Sequence, residues 1–214
     1  MSFYKERILP KMIDLVCNAG PMTRQRKKII HRASGNVLEI GVGTGLNLPF
    51  YDTGKIISLT GLEPSPGMAQ VACRRAQTID IEFKLLAAGA ESIPVASASI
   101  DAVVMTYTLC TISDPRRAIR EIYRILKPGG FFYFCEHGLA PDLKTRRLQN
   151  RLTPVWKLIA GGCHLNRDIE ALIKNGGFFM HEMETLYLPG WRPASFNYLG
   201  MAERGQRTVY PKKH

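Results

Sequence analysis

Apolar positions in this chain fall into short runs separated by stretches of helical spacing. Runs at 36–40, 56–62, 81–86, 101–106 and 130–135 read as strands. Residues 46–51, 66–76, 90–93 and 115–126 between them read as helices. Alternating strands and helices predict a parallel sheet covered on both faces. The helix from residue 115 has Asp114 at its N-cap and Pro115 at N1, buries Ala118, Ile122, Ile125 and Leu126, and stops at Pro128-Gly129. Residues 141–160 read as a basic helix broken at Pro154. Asn166 caps a short helix over 167–174, which Gly176-Gly177 ends. Segments 178–188 and 195–203 read as a final antiparallel pair, bringing the sheet to seven strands. Before the first strand, Tyr4, Ile8, Met12, Leu15 and Val16 form a helical stripe disturbed by Pro10, and residues 22–33 form a basic helix. The whole is one domain over 1–214, with a helical cap or lid over 1–33, a core over 35–205 and a loose tail from 206.

The first strand runs into Val37-Leu38-Glu39-Ile40-Gly41-Val42-Gly43-Thr44-Gly45, followed by Leu46 and Asn47. Glycine lacks a Cβ and takes positive φ at little cost, so alternating glycines after a strand allow backbone to approach a ligand closely. A dinucleotide turn reads G-x-G-x-x-G and rests a pyrophosphate on the next helix. Here the third glycine comes one residue early, and Glu39 would repel a diphosphate. An acid there suits a cationic ligand with an amino group. S-adenosylmethionine (SAM) carries a sulfonium and an α-amino group and no phosphate. The alternatives are a NAD-type turn and a purely structural tight turn.

The second strand ends at Glu63, about 20 residues after the glycine turn, where a ribose-binding carboxylate sits in βαβ nucleotide sites. Its two oxygens can serve both ribose hydroxyls. The alternative is a solvated acid at a strand end.

Further segments continue the pattern: Ala90-Glu91-Ser92-Ile93-Pro94, Ser99-Ile100-Asp101-Ala102-Val103-Val104, and Leu126-Lys127-Pro128-Gly129-Gly130 before a strand. With Glu39–Gly45 and Glu63, they resemble the ordered motifs of class I SAM-dependent methyltransferases of the type 11 domain, over roughly residues 35–190. Thr108–Ile112, Glu136-His137 and Gly162–Arg167 are similar to segments of the group containing animal alkyl-thiol methyltransferases. The Gly-Thr-Gly-Leu-Asn-Leu-Pro stretch also resembles bacterial phospholipid N-methyltransferases.

That resemblance implies an α/β fold with a Rossmann-like, doubly wound, seven-stranded sheet. The sheet would be mostly parallel with an antiparallel last strand, plus the N-terminal cap. It implies SAM as cofactor and S-adenosylhomocysteine as product. Gly41, Gly43, Gly45 and Asn47 would hold the methionine moiety, Glu39 its amino group, and Glu63 the ribose. Pro64, Met68, Ala90 and Glu91 would frame the adenine, with Thr106 and Tyr107 beside the methyl group. Many relatives have Asp where this chain has Gly89 or Ala90, so adenine recognition here rests on backbone and Glu91. His137 and Tyr107 are the candidate catalytic residues. His137 suits a general base or acceptor contact, against the alternative that it shapes a loop. Tyr4, Cys110, Trp156, Cys163 and His164 complete the candidate acceptor site, with Cys163-His164 as a lid; Tyr4 and Trp156 equally suit a core. The expected reaction is in-line methyl transfer to a small-molecule acceptor, thiol favoured. The alternatives are a phospholipid or amine N-methyltransferase and a non-catalytic SAM-binding module.

The net charge of +11 arises from basic clusters at 24–32, 116–127 and 144–151. They suit solvated helix faces or peripheral contact with an anionic membrane; no RNA-binding motif accompanies them, so nucleic acid is not expected as a partner. Five cysteines, Cys17, Cys73, Cys110, Cys135 and Cys163, lack C-x-x-C spacing, so neither a disulfide frame nor a metal site is expected. Cys73 and Cys135 read as packing residues. No apolar run reaches membrane-span length, and residues 1–7 lack a signal-peptide core, so a cytoplasmic location is expected; the hydrophobic N-terminal anchor of the animal relatives is not carried over.

Overall fold

The computed structural model describes Asp14 and residues 17–205. Most of the helix expected over 3–16, Tyr4 included, and the tail from 206 lie outside those residues. In chain order the elements are α1 (Gly20–Ile30), β1 (Gly35–Ile40), β2 (Ile56–Leu62), α2 (Pro66–Ala76), β3 (Phe83–Leu86), β4 (Ile100–Thr106), α3 (Pro115–Ile125), β5 (Leu126–His137), α4 (Leu143–Ile159), α5 (Ile169–Asn175), β6 (Phe178–Tyr187), α6 (Arg192–Ser195) and β7 (Phe196–Arg204). The strands form one sheet in the order β3-β2-β1-β4-β5-β7-β6. β1 to β5 run parallel, and β7 runs antiparallel to both its neighbours.

The parallel strands are apolar on both faces, as a sheet covered by helices requires. Along β4, Val103 and Met105 join one core with Leu38, Phe132 and Phe134, roofed by Ala118, Ile119, Ile122 and Ile125 of α3. Ala102 and Val104 point the other way, against Val37, Tyr133, Cys135 and the Ile29-Ile30 end of α1. Burying each such Phe or Ile contributes about 1.5–3 kcal/mol, so the two layers hold β1 and β4 rigidly in the middle of the sheet. Capping behaves as expected at α3, where Asp114 Oδ1 accepts the Arg117 amide at 3.0 Å.

Several boundaries differ from expectation. Residues 46–51 shrink to a 3-10 turn over Leu48–Phe50. Residues 90–93 form no helix, only a turn at 90–91, since four residues running into Pro94 cannot complete helical hydrogen bonds. β5 starts at Leu126, because Gly129 at φ +80° lets the chain pass Pro128 and stay in the sheet. Pro154 does not break α4: the carbonyl it leaves unpaired belongs to Asn150, on the exposed side of the helix where water can reach it. Asp168, rather than Asn166, caps α5, and the one-turn α6 had no sequence signal. Cys73 is exposed, while Cys135 is buried as expected.

β7 can lie between β5 and β6 only if Gly200 stays bare. A Cβ there would strike the backbone carbonyl of Glu182 and approach the Phe134 ring at 2.7 Å. Since backbone cannot move aside cheaply, Gly200→Ala is expected to lose about 1–3 kcal/mol of stability in urea unfolding. An unchanged midpoint would mean that the β6–β7 pairing is looser than its register implies.

Candidate active site

The chain turns back between β1 and β4. Connections from β1 build the sheet toward β3, and those from β4 build it toward β5. In a doubly wound sheet the crevice beyond the strand ends at that switch binds ligands. A cavity of about 480 Å³ opens there. Its wall includes Glu39, Gly41, Gly43, Asn47, Glu63, Pro64, Met68, Ala90, Glu91, Thr106 and Tyr107, all named from the sequence.

Two carboxylates organise this wall. Glu39 is 1% exposed; its oxygens accept Asn47 Nδ2 at 2.9 Å and Tyr51 Oη at 2.7 Å. Burial pushes its pKa up to about 7 against the opposing pull of those two donors. Asn47 Nδ2 also donates to Thr106 Oγ1 at 2.9 Å, joining the turn to β4. Asn47 Oδ1 is buried with no hydrogen-bond partner among the described residues. Glu63 accepts the amides of Gly43 at 3.1 Å and Ser65 at 2.8 Å, and burial raises its pKa despite them. Each Glu63 oxygen keeps a free lone pair for a ligand hydroxyl.

The glycines divide the work. A Cβ on Gly43, at φ +58°, would meet nothing closer than Gly41 O at 3.8 Å, so its bareness leaves room for a ligand. A Cβ on Gly45 would press on Leu48 and on the Ala72 backbone; that glycine serves packing and does not line the cavity. Glu91 Oε1 accepts the amides of Ser113 and Asp114, so this side chain also ties two rim loops together.

Tyr107 bends sharply at φ +52° after β4. Its hydroxyl is buried without a partner among the described residues, and burial drives its pKa far up, so it stays neutral. Arg26 of α1 also lines the cavity. It is 4% exposed, stacks 5.2 Å from the Tyr107 ring centroid, and donates from Nη1 to Cys17 O at 2.7 Å. It pairs with no carboxylate among the described residues. Nothing in the sequence separates Arg26 from the other basic positions of its helix. The same holds for Arg75, whose Nη1 reaches Asp14 Oδ1 at 2.9 Å and Thr44 O at 2.8 Å, tying the N-terminal segment to the glycine turn.

The remaining candidate residues gather behind this wall. His137, at the end of β5, does not line the cavity as an acceptor base would. Its Nε2 lies 3.2 Å from Cys163 Sγ. Cys163 is held well below the ordinary thiol pKa by hydrogen bonding with Cys110 and His137. Cys110 is buried beside them, its Sγ 3.8 Å from Tyr107 O. Glu136, fully buried and pushed up to about 7 by that burial, accepts the Thr108 amide at 2.9 Å and so anchors the same loop. His164 Nδ1 lies 2.8 Å from Gly162 O, within its own loop, and Trp156 packs on Trp191 with ring centroids 5.0 Å apart. Neither lines the cavity.

The sequence and fold are similar to those of known proteins. The family described as "Methyltransferase domain" matches residues 38–134. Thiol S-methyltransferase TMT1A of Homo sapiens is 31% identical over 204 residues, covering 91% of this chain and 80% of that protein. Thiol S-methyltransferase TMT1B of Rattus norvegicus is 34% identical over 167 residues, covering 76% of this chain and 65% of that protein, just under two thirds of its length. A SAM-dependent methyltransferase from Thermotoga maritima shares the fold, with a TM-score of 0.64 at 23% identity over 93% of this chain and 97% of its own. The unpaired Asn47 Oδ1, the buried Arg26 and the two acids fit an amino acid joined to a nucleoside. The chain belongs to the SAM-dependent methyltransferases.

Proposed function

We propose that this enzyme methylates a small thiol by in-line displacement. The observation that carries the acceptor class is the likeness to two thiol S-methyltransferases, one of them over 91% of the chain. The chemistry of the wall supports it. SAM is already a strong methyl donor, so the protein has to align the acceptor and exclude water. Among the described residues on the wall, Tyr107 stays neutral, while Glu39 and Glu63 are held by the glycine-turn network. A thiol forms its own nucleophile near neutral pH, whereas an alcohol or ammonium needs a dedicated base.

In this reading Glu39 and Asn47 Oδ1 receive the α-amino group of SAM, and Arg26 its carboxylate. Glu63 holds the ribose. Pro64, Met68, Ala90 and Glu91 frame the adenine, while Thr106 and Tyr107 border the transferring methyl. A second reading is delivery of the acceptor from an anionic membrane surface. It is favoured by α4, where Leu143, Val155 and Leu158 are 64%, 63% and 76% exposed among the basic residues Lys144, Arg147 and Lys157. No helix of the described residues is long and apolar enough to cross a membrane.

Glu63→Ala is expected to weaken SAM binding by about tenfold or more in calorimetry, through loss of charge-assisted hydrogen bonds. Full affinity in a folded variant would remove the ribose assignment. SAM affinity should also depend on Glu39. The ammonium of SAM favours the carboxylate, so affinity is complete above the free enzyme's pKa of about 7 and declines as pH falls through it. Glu39→Gln should flatten that slope between about pH 5.5 and 7.5; a slope that survives would assign the titration elsewhere. Finally, mass spectrometry of products from small thiols, amines, phenols and phosphatidylethanolamine liposomes should detect a methylated thiol. Product from liposomes alone would replace the thiol reading with a lipid N-methyltransferase. Thiol turnover raised by anionic vesicles would support delivery across α4.

A further inference from the structure

We propose that Cys110, His137 and Cys163 bind a zinc ion whose open coordination position takes the acceptor thiol. Two soft thiol sulfurs and an imidazole nitrogen converge here, with all three ligand atoms within 4.8 Å of one another. Tetrahedral zinc, with Zn–S near 2.3 Å and Zn–N near 2.05 Å, sets its ligand atoms about 3.5–3.8 Å apart. The Cys163 Sγ–His137 Nε2 separation of 3.2 Å therefore needs to open by only a few tenths of an ångström.

The three ligands come from separate pieces of backbone, each held in place. His137 is the last residue of β5, in register with Asn197 of β7. Cys110 lies in a loop whose Leu109 and Ile112 carbonyls are both held by the Arg167 guanidinium. Cys163 follows Gly161 and Gly162, at φ +61° and +91°, and the next amide, that of His164, donates to Cys110 O at 2.9 Å. Such a set is preorganised for a metal, and no spacing motif announces it in the sequence. With Nε2 given to the metal, Nδ1 carries the proton of the neutral ring, the tautomer that a zinc ligand requires.

Three protein ligands leave the fourth tetrahedral position open, as in catalytic zinc sites. In the proposed site that position faces the cavity. Thr111 and Gly161, beside Cys110 and near Cys163 in the chain, line the cavity, and Tyr107 spans from the cavity wall to Cys110. Two thiolates neutralise the zinc charge, so an added acceptor thiolate makes the centre anionic and keeps its sulfur nucleophilic. In the balanced step, the acceptor S–H gives its proton to solvent on binding. Its sulfur lone pair then forms the S–CH3 bond as the sulfonium S–CH3 bond breaks. The products are a thioether, a poor zinc ligand that departs, and S-adenosylhomocysteine. This acceptor role rests on the thiol reading above; the metal site itself stands on geometry.

The test is metal analysis of the full chain purified under reducing conditions without chelator. About one zinc per chain is expected, falling to near zero in Cys110→Ser and Cys163→Ser and unchanged in Cys73→Ser, on the exposed side of α2. Because a core variant can misfold, cobalt(II) is also titrated into zinc-stripped wild-type protein. A sulfur-to-cobalt charge-transfer band is expected, and it should shift when a small thiol is added. SAM binding by the stripped protein, measured in parallel, shows that the fold survives stripping. Absence of both zinc and the cobalt band, or zinc retained in both serine variants, overturns the site. Thiol methylation at the full rate by zinc-free enzyme also overturns the proposal while leaving the thiol reading intact. Stoichiometric zinc lost in both serine variants, in an enzyme that methylates none of the thiols, would instead remove the thiol reading and uphold the metal site.

Discussion

The active site is organised around a carboxylate buried at the end of the central strand. Glu39 sits where β1 is covered on both faces and flanked by β2 and β4, almost fully withdrawn from solvent. An unpaired ionised group there would be strongly destabilising. Its partners must come from the chain that follows, and they do: Asn47 and Tyr51 turn back onto it. The positive φ angles at Gly41, Gly43 and Gly45 make that return possible in so few residues. Asn47 then bonds Thr106, so one acid fixes both the glycine turn and the end of β4. The crevice between them is a consequence of satisfying Glu39.

The same logic extends to the second acid and the N-terminal segment. Glu63 takes the Gly43 amide, which joins the end of β2 to the turn. Arg75 on α2 holds Thr44 from outside and reaches Asp14. Arg26 then lines the cavity against Tyr107, paired with no acid among the described residues. A buried guanidinium beside two buried carboxylates gives the cavity a positive and a negative side. A zwitterionic amino-acid ligand fits that arrangement, and a diphosphate does not. The substitution of Glu39 for the room a pyrophosphate needs separates this site from a dinucleotide fold built on nearly the same strands.

Much of this was legible in the sequence because the controlling signals are local. Strand ends at Glu39 and Glu63, glycines at alternating positions and the Asp114-Pro115 start are read from neighbouring residues, and each lies where the spacing put it. What the sequence concealed depends on distant segments meeting. Arg26 looks like any basic position of an amphipathic helix until Tyr107 is stacked against it. Asp14, Thr44 and Arg75 are far apart in the chain. Cys110, His137 and Cys163 show no motif, because a loop, a strand end and a second loop each contribute one atom. All three are candidate acceptor residues from the sequence, yet nothing in it shows that they meet one another. Boundaries failed where solvent or sheet pairing overrode propensity, as at Pro154 and at the start of β5.

The proposed binding mode divides the labour of methyl transfer between two sides of one crevice. The β1–β2 rim carries the acids and the open backbone, which suit cofactor binding. The β4 side carries Thr106 and Tyr107, with Cys110 and His137 behind the cavity wall. A sulfonium needs no acid to activate it, and a nearby carboxylate would stabilise the charged ground state more than the transition state, where that charge is dispersing. In the proposed binding mode Glu39 and Glu63 meet the amino group and the ribose, so their charge is spent on binding the cofactor. In the proposed reading the β4–β5 side is left to the acceptor, and the buried sulfur and imidazole groups behind it suit a soft nucleophile better than a hard oxygen.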